Sequence, residues 1–198
     1  MAVHIALNEI NADFELVNVS VPSGQPKSKV LLDVNARGSV PVLQINDFIL
    51  REGVAILLNL LDNNKNNLLP KSGTERDLTL EWLCFANSTL HPAYSRVFFI
   101  MRNLGSEASK NSLYAPTIKN IQNYWDEIEE HLKKSEYLTG NQITIADILL
   151  TVIANWSRNF EAKIIYHEKT KAYFTKIISL PSYKKALEIE GIKYVANL

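Results

Sequence analysis

Residues 38–61 read GSVPVLQINDFILREGVAILLNLL, and they spell out one compact folding unit. Two short apolar runs, Val42–Ile45 and Phe48–Leu50, are separated by Asn46-Asp47. That pair tolerates tight-turn geometry and predicts a β-hairpin. Proline cannot donate a ladder hydrogen bond, so Pro41 marks a strand end where the preceding backbone faces something other than sheet. An extended, peptide-like ligand suits that position. Glu52 and Gly53 then open an apolar helix running to about Asp62. Free N–H groups and the dipole at such a helix start attract a carboxylate, while the Glu52 side chain can hold an ammonium group.

Upstream, Ala2–Ile10 carries apolar residues at Val3, Ala6, Leu7 and Ile10, which predicts a helix. Phe14–Val21 alternates apolar and polar and predicts a strand. Pro22, Ser23, Gly24 and Pro26 mark a loop, Val30–Val34 a short helix, and Asn35–Ser39 a turn. Downstream, Asp62–Gly73 is rich in asparagine and reads as a linker between two domains. Everything after it has helical period. Thr74–Leu104 predicts a helix kinked at Pro92, and Ile118, Ile121, Trp125, Ile128 and Leu132 form one apolar stripe. Further helices are predicted from Thr144 to about Phe160, over Lys169–Ser179 and over Ser182–Ile189. The fold class is therefore an α/β unit over residues 1–63, a linker over 64–73, and an all-α domain over 74–198.

Composition narrows the function. The chain has 198 residues, 46% of them hydrophobic, and 21 basic against 21 acidic side chains. It can bury a sizeable core. No Lys/Arg block provides an electrostatic footprint for nucleic acid or a membrane surface, so small ligands and protein partners are favoured. The single cysteine, Cys84, rules out an internal disulfide framework and fits a reducing compartment, with cytoplasm as the expectation. No signal-peptide pattern opens the chain. Its most apolar segment, Ile143–Trp156, falls short of the ~20 apolar residues of a membrane span. His4, His131 and His167 lack ligand-like spacing, so no metal is expected.

Five segments carry a family resemblance: HIALNEI at His4–Ile10, VNARGSVPVL at Val34–Leu43, REGVAI at Arg51–Ile56, EWL with His91 downstream, and LTGNQITIADILL at Leu138–Leu150. Over nearly its whole length the chain resembles the glutathione transferase superfamily, and most closely the bacterial beta class. The last segment is a folding signal. Thr144 is placed to be an N-cap with Asp147 at N3, and Ile143 and Ile148 to form a hydrophobic staple.

The resemblance implies a thioredoxin-like domain followed by a helical bundle, and glutathione as co-substrate. It implies a cis proline at Pro41, and a Val40 backbone that pairs with the cysteinyl part of glutathione like an added strand. Glu52 corresponds to the family's acidic contact with the γ-glutamyl end. Gly53 supplies an N–H but lacks the hydroxyl that many classes carry there. His91 lines the thiol and glycine side and is the candidate for proton transfer, with Ser88 one turn earlier on the same side. Cys84 stands where the beta class has an asparagine, and is expected to be a small apolar core residue. Trp82, Phe85, Tyr94, Phe98 and Phe99 are expected in the core or at subunit contacts, with Tyr94 and Phe98 positioned for a second-substrate pocket.

In the family a first strand and a Pro-Gly-x-Cys turn bearing the catalytic cysteine precede the first helix, and Met1 falls just after that point. The resemblance thus implies a chain without that strand and turn, with weak binding and turnover below an intact member. The activity expected is transfer of the glutathione thiol to a hydrophobic electrophile, or resolution of a mixed disulfide, by a homodimer. The alternative is a non-catalytic protein-interaction module of the same shape. Glutathione displacement distinguishes the two.

Overall fold

The protein is described by a computed structural model that covers residues 1–19, 25–104 and 107–197, with the side chains of 107–111 left aside. The predicted loop at Pro22–Gly24 lies outside these residues.

The hairpin forms as the sequence predicts. Strands β1 (Val42–Ile45) and β2 (Phe48–Arg51) pair antiparallel, with Val42 opposite Arg51 and Ile45 opposite Phe48. The turn works because Asn46 adopts a φ of 52°, a region that asparagine enters more readily than most residues. Helices α1 (Ala2–Glu9), α2 (Lys29–Val34) and α3 (Gly53–Asn63) complete this part. Leu7, Ile56 and Leu60 bury together beneath the hairpin, with Phe14, Leu43 and Leu50 packed against them.

The strand expected over Phe14–Val21 does not appear in the described part, residues 14–19. Alternation alone makes no strand, since a ladder needs a bonded neighbour, and the sheet among the described residues contains β1 and β2 only. Phe14 is drawn to the core, while Leu16 and Val17 stay half exposed.

The polar stretch after α3 is more ordered than its composition suggests. Asn63 and Asn64 donate to Asn59 and Leu60 carbonyls, and Asn66 Oδ1 accepts the N–H groups of Leu68 and Leu69. Asparagine is good at this side-chain-to-backbone bonding. It allows Leu68 and Leu69 to be buried within a polar run. Arg76 then grips both carboxylate oxygens of Asp62 at 3.0 Å and the Pro70 carbonyl at 2.9 Å, tying α3 to the next helix.

The expected helix over Thr74–Leu104 is two helices, α4 (Gly73–Cys84) and α5 (His91–Asn103), joined by a π-helical turn at Phe85–Leu90. Pro92 lacks the N–H that would bond to the Ser88 carbonyl, and its ring crowds that oxygen. The wider π turn relieves both conflicts just before the proline, so the disruption lies upstream of the predicted kink. Helices α6 (Glu107–Leu132), α7 (Ile145–Ala154), α8 (Glu168–Ile178) and α9 (Pro181–Glu190) follow. The helix predicted to reach Phe160 tightens to a 3₁₀ segment at Asn155–Asn159.

The α6 stripe is seated as predicted, with Ile121, Trp125 and Ile128 fully buried. Helix α7 is the axis of the bundle, nine of its ten residues being buried. Asp147 closes a capping box at its start, accepting bonds from the Thr144 N–H at 2.6 Å and hydroxyl at 2.7 Å. Ile148 and Ile143, the predicted staple, both join the core. Helix α1 packs on α3 within its own half, and the two halves meet where it packs on α7 and α9. There His4 Nδ1 lies 3.1 Å from Glu190 Oε1, and Asn8 donates to the Ser182 carbonyl.

Candidate functional site

The peptide bond between Val40 and Pro41 is cis. Val40 is 66% exposed, and among the described residues its N–H donates to none and its C=O accepts from none. The segment leading to it is held in place by Asn35, whose side-chain amide donates to the Ser39 carbonyl at 2.8 Å, and by Lys27, which donates to the Arg37 carbonyl at 2.9 Å. Gly38 makes the turn at a φ of +58°. A Cβ there would also run into the Lys27 side chain. The result is a short stretch of backbone offering a free donor and acceptor to solvent, as at a sheet edge ready for an extended ligand.

Against it stands the start of α3. Glu52 is the residue before the helix, at a φ of +76°, and its C=O accepts the first helical bond from Ile56 at 3.0 Å. The N–H groups of Gly53, Val54 and Ala55 therefore have no partner within the helix. Gly53 abuts the Pro41 ring, with a Cβ built on it meeting Pro41 Cγ at 3.7 Å. Val40, Pro41, Glu52 and Gly53 are thus brought together, as the sequence predicts. Unpaired N–H groups with the positive end of a helix dipole favour a carboxylate, and the adjacent Glu52 carboxylate favours an ammonium. The pair suits the two charges of an α-amino acid.

Arg37 belongs to this cluster too, and sequence reasoning passed over it. Its Nη1 lies 2.7 Å from Glu52 Oε1. The signal was present, since Arg37 lies within VNARGSVPVL, but nothing in the sequence shows that it reaches Glu52.

His91 opens α5 and is half buried. Burial holds its imidazole below the ordinary histidine value, so it is neutral at pH 7. Its ring meets Trp156 edge-to-face at 4.9 Å. Ser88 lies on the π turn and is exposed. No hydrogen bond, ion pair or ring contact among the described residues joins His91 or Ser88 to the Val40–Gly53 cluster.

One expectation on the preceding helix is corrected. Cys84 is exposed, not a core residue, because Thr79, Leu83 and Ala86 form the inward face of this stretch. Tyr94 joins the core, as expected, and lines no open pocket: its hydroxyl receives the Trp125 indole N–H at 2.9 Å and lies 3.1 Å from the Tyr166 hydroxyl. Burial pushes its phenol well above the ordinary value. Phe98 does face outward in part, packing on Phe160 at 5.3 Å. Trp156 and Phe160, both unassigned by sequence reasoning, are the rings that flank this face of α5. Among the described residues no group of three or more His, Cys, Asp and Glu side chains could hold a metal ion, and no helix is long and apolar enough to cross a membrane.

A thioredoxin-like unit with a cis Val-Pro beside an acidic helix start, followed by an all-α domain, defines a transferase-type architecture. Residues 1–62 match the family model of the glutathione S-transferase N-terminal domain, and residues 87–181 that of the C-terminal domain. Glutathione S-transferase GstA of Escherichia coli O157:H7 is 28% identical over 98% of this chain and 94% of its own length. A sphingomonad glutathione S-transferase, solved in complex with glutathione, is 30% identical with a TM-score of 0.80, covering 97% of this chain and 94% of its own. A glutathione S-transferase from Xylella fastidiosa has a TM-score of 0.86 at 25% identity, with the same coverage. The chain belongs to the glutathione S-transferase family.

Proposed function

We propose that this protein binds glutathione and joins its thiol to an electrophilic small molecule, or uses it to resolve a mixed disulfide. The observation that carries the reading is the meeting of the exposed cis Val40–Pro41 segment with the Glu52–Gly53 start of α3. Glutathione has the matching parts, an extended peptide with an α-amino acid at one end. The Val40 N–H and C=O bond the cysteinyl residue as a strand would. The γ-glutamyl ammonium pairs with Glu52, and its carboxylate takes the N–H groups at the head of α3. Arg37 and Lys27 provide positive charge on the flank of the same segment.

The reacting species is the thiolate. His91, neutral at pH 7, is the group of this chain suited to accept the thiol proton or to orient the sulfur, with Ser88 as a hydroxyl on the same helix run. The sulfur lone pair then attacks the electrophilic carbon, a C–S bond forms, and the leaving group departs with its electron pair. In the mixed-disulfide case the thiolate attacks one sulfur and the other leaves as thiolate. Glutathione is co-substrate, no metal is used, and the acceptor is a hydrophobic electrophile.

The protein acts in the cytoplasm as a homodimer, a reading that family membership supports. Exposed Ile45, Phe48 and Leu78 provide apolar surface for a second copy. Domain boundaries at 1–63 and 74–198 fit the end of α3 at Asn63 and the start of α4 at Gly73.

Calorimetric titration with glutathione, followed by conjugation of 1-chloro-2,4-dinitrobenzene, tests the reading. A dissociation constant in the range of roughly 0.01–1 mM is expected, equivalent to ~4–7 kcal/mol, together with glutathione-dependent product. No binding heat at 10-fold higher glutathione, alongside a reproducible protein partner, would overturn it in favour of an interaction module.

A further inference from the structure

His91 enters the transfer step through its imidazole, and a half-buried ring serves a proton transfer only when it is held in one orientation. The residue that holds it lies on the 3₁₀ segment. The Trp156 ring meets the His91 ring at 4.9 Å, with the two planes 67° apart. Trp156 is itself fixed from both sides along the chain. Before it, Asn155 is buried, its amide donating to the Lys193 carbonyl at 2.9 Å and its Oδ1 accepting the Val195 N–H at 2.9 Å. After it, the Ser157 hydroxyl donates to the Ala154 carbonyl at 2.7 Å and lies 3.0 Å from the Tyr166 hydroxyl. Tyr166 leads on to Tyr94, whose ring flanks Trp156 at 6.4 Å.

We propose that Trp156 is a positioning residue for the transfer step: held by Asn155 and Ser157, it fixes the His91 imidazole in the orientation that takes the thiol proton and shields that ring from water. The inference rests on the transferase reading and adds to it a residue that acts through His91. In the step itself the thiol proton moves to the imidazole, and the electron pair of the S–H bond stays on sulfur.

Tightening from α to 3₁₀ after Ala154 changes the angle at which successive residues leave the axis, so it directs Trp156 where a continued α7 would not. Edge-to-face contact between rings has a preferred geometry, which restricts rotation of the imidazole about its side-chain torsions. Excluding water from the ring favours its neutral, proton-accepting form, and burial lowers the His91 value accordingly. Titratable groups on the elements around the π turn and His91 are exposed or engaged elsewhere. Glu81 and Cys84 on α4, Arg96 on α5 and Arg158 on the 3₁₀ segment are exposed. Tyr94 is bonded to Trp125 and Tyr166, and Asp147 closes the capping box of α7.

NMR of the full chain tests the contact without turnover. The chain has four histidines, and the imidazole signal lost in His91→Gln identifies His91. In the unsubstituted chain a nuclear Overhauser effect should join the His91 and Trp156 rings. In Trp156→Leu the His91 titration midpoint should rise towards 6.5, and kcat for conjugation should fall roughly tenfold with little change in the KM for glutathione. Unmoved signals of the other three histidines mark an intact fold. Trp156→Phe, which keeps a ring at the contact, should restore both midpoint and kcat to near the parent values. No Overhauser effect between the rings, or a His91 midpoint and kcat that Trp156→Leu leaves unchanged, would overturn the inference. Calorimetric titration with glutathione separates the two readings. A His91 midpoint that depends on Trp156 in a chain that binds no glutathione keeps the ring contact and sinks the transferase reading. Glutathione binding and conjugation that are indifferent to Trp156→Leu sink the positioning role alone.

Discussion

Arg37 Nη1 lies 2.7 Å from Glu52 Oε1, and this contact closes the chain around the cis Val40–Pro41 segment from both sides. Both side chains are about two-thirds exposed, so the pair adds little to stability, on the order of 0.2–1 kcal/mol. Its value lies in holding Glu52 ready at the helix start. Glu52→Gln keeps the shape and removes the charge that pairs with an ammonium. Glutathione affinity should fall about tenfold, ~1.4 kcal/mol, with little change in melting temperature. Titration calorimetry and thermal unfolding of the same variant check both halves. A variant that binds as well as the parent removes Glu52 from the site.

Gly53 offers a gain of function. A Cβ at this position meets only the Pro41 ring, at ordinary contact distances of 3.7 and 3.8 Å, and the backbone there is not in the left-handed region. Gly53→Ser should therefore fold normally and place a hydroxyl beside the N–H groups at the head of α3. One added hydrogen bond is worth ~0.5–1.5 kcal/mol, so affinity should rise about three- to tenfold. Gly53→Ala is the control, expected to leave affinity near that of the parent.

The half of the site carried by contiguous sequence was legible before the structure. Val40, Pro41, Glu52 and Gly53 lie within fourteen residues of one another, and the hairpin between them follows from Asn46-Asp47. Arg37 was missed because its role depends on a side chain turning back to Glu52, which no local pattern encodes. Trp156 and Phe160 were missed for a related reason: on a helical stripe an aromatic ring reads as core, and only the 3₁₀ segment turns them towards α5. The strand predicted over Phe14–Val21 is missing from the described residues 14–19 because alternation specifies a face, not a bonding partner. Cys84 failed because its exposure depends on which face of α4 the core selects.

His91 should show itself in the pH dependence. Burial holds its pKa below the ordinary 6.5, so between the two values the unfolded chain binds more protons than the folded one. Stability therefore rises with pH through that window, and it falls as pH drops from about 6.5 through the lower folded-state value. Conjugation should decline on the same acid side, as the imidazole loses its capacity to accept a proton. In His91→Gln both acid limbs should flatten. Chemical denaturation and kcat/KM, each measured from pH 5 to 8, test this, and an unchanged rate profile in the variant would assign the limb to another group.

Asp147 is a structural counterpart, important to the fold without touching the ligand. Its carboxylate accepts the Leu138 N–H at 3.0 Å, the Thr144 N–H and hydroxyl, and the Tyr173 hydroxyl at 3.0 Å. Asp147→Ala leaves these buried donors without an acceptor, a loss of ~3–5 kcal/mol, enough to leave a marginally stable chain largely unfolded. Asp147→Asn keeps one acceptor oxygen and should lose less. Acid does not act through this residue. Burial raises the Asp147 pKa despite its hydrogen bonds, so protonation occurs more readily in the folded state, and stability does not fall on its account as pH drops. Glu129 behaves in the opposite way. Burial pushes its carboxyl up, but bonds from the Thr170 hydroxyl and N–H and the Lys169 N–H outweigh this and hold it below 4.5. Its contribution is present above the unfolded value and is lost as pH falls through the folded one. Glu129→Gln should therefore weaken the acid dependence of unfolding below about pH 4.5, and Asp147→Asn should not. Urea midpoints from pH 3 to 7 distinguish the two carboxylates.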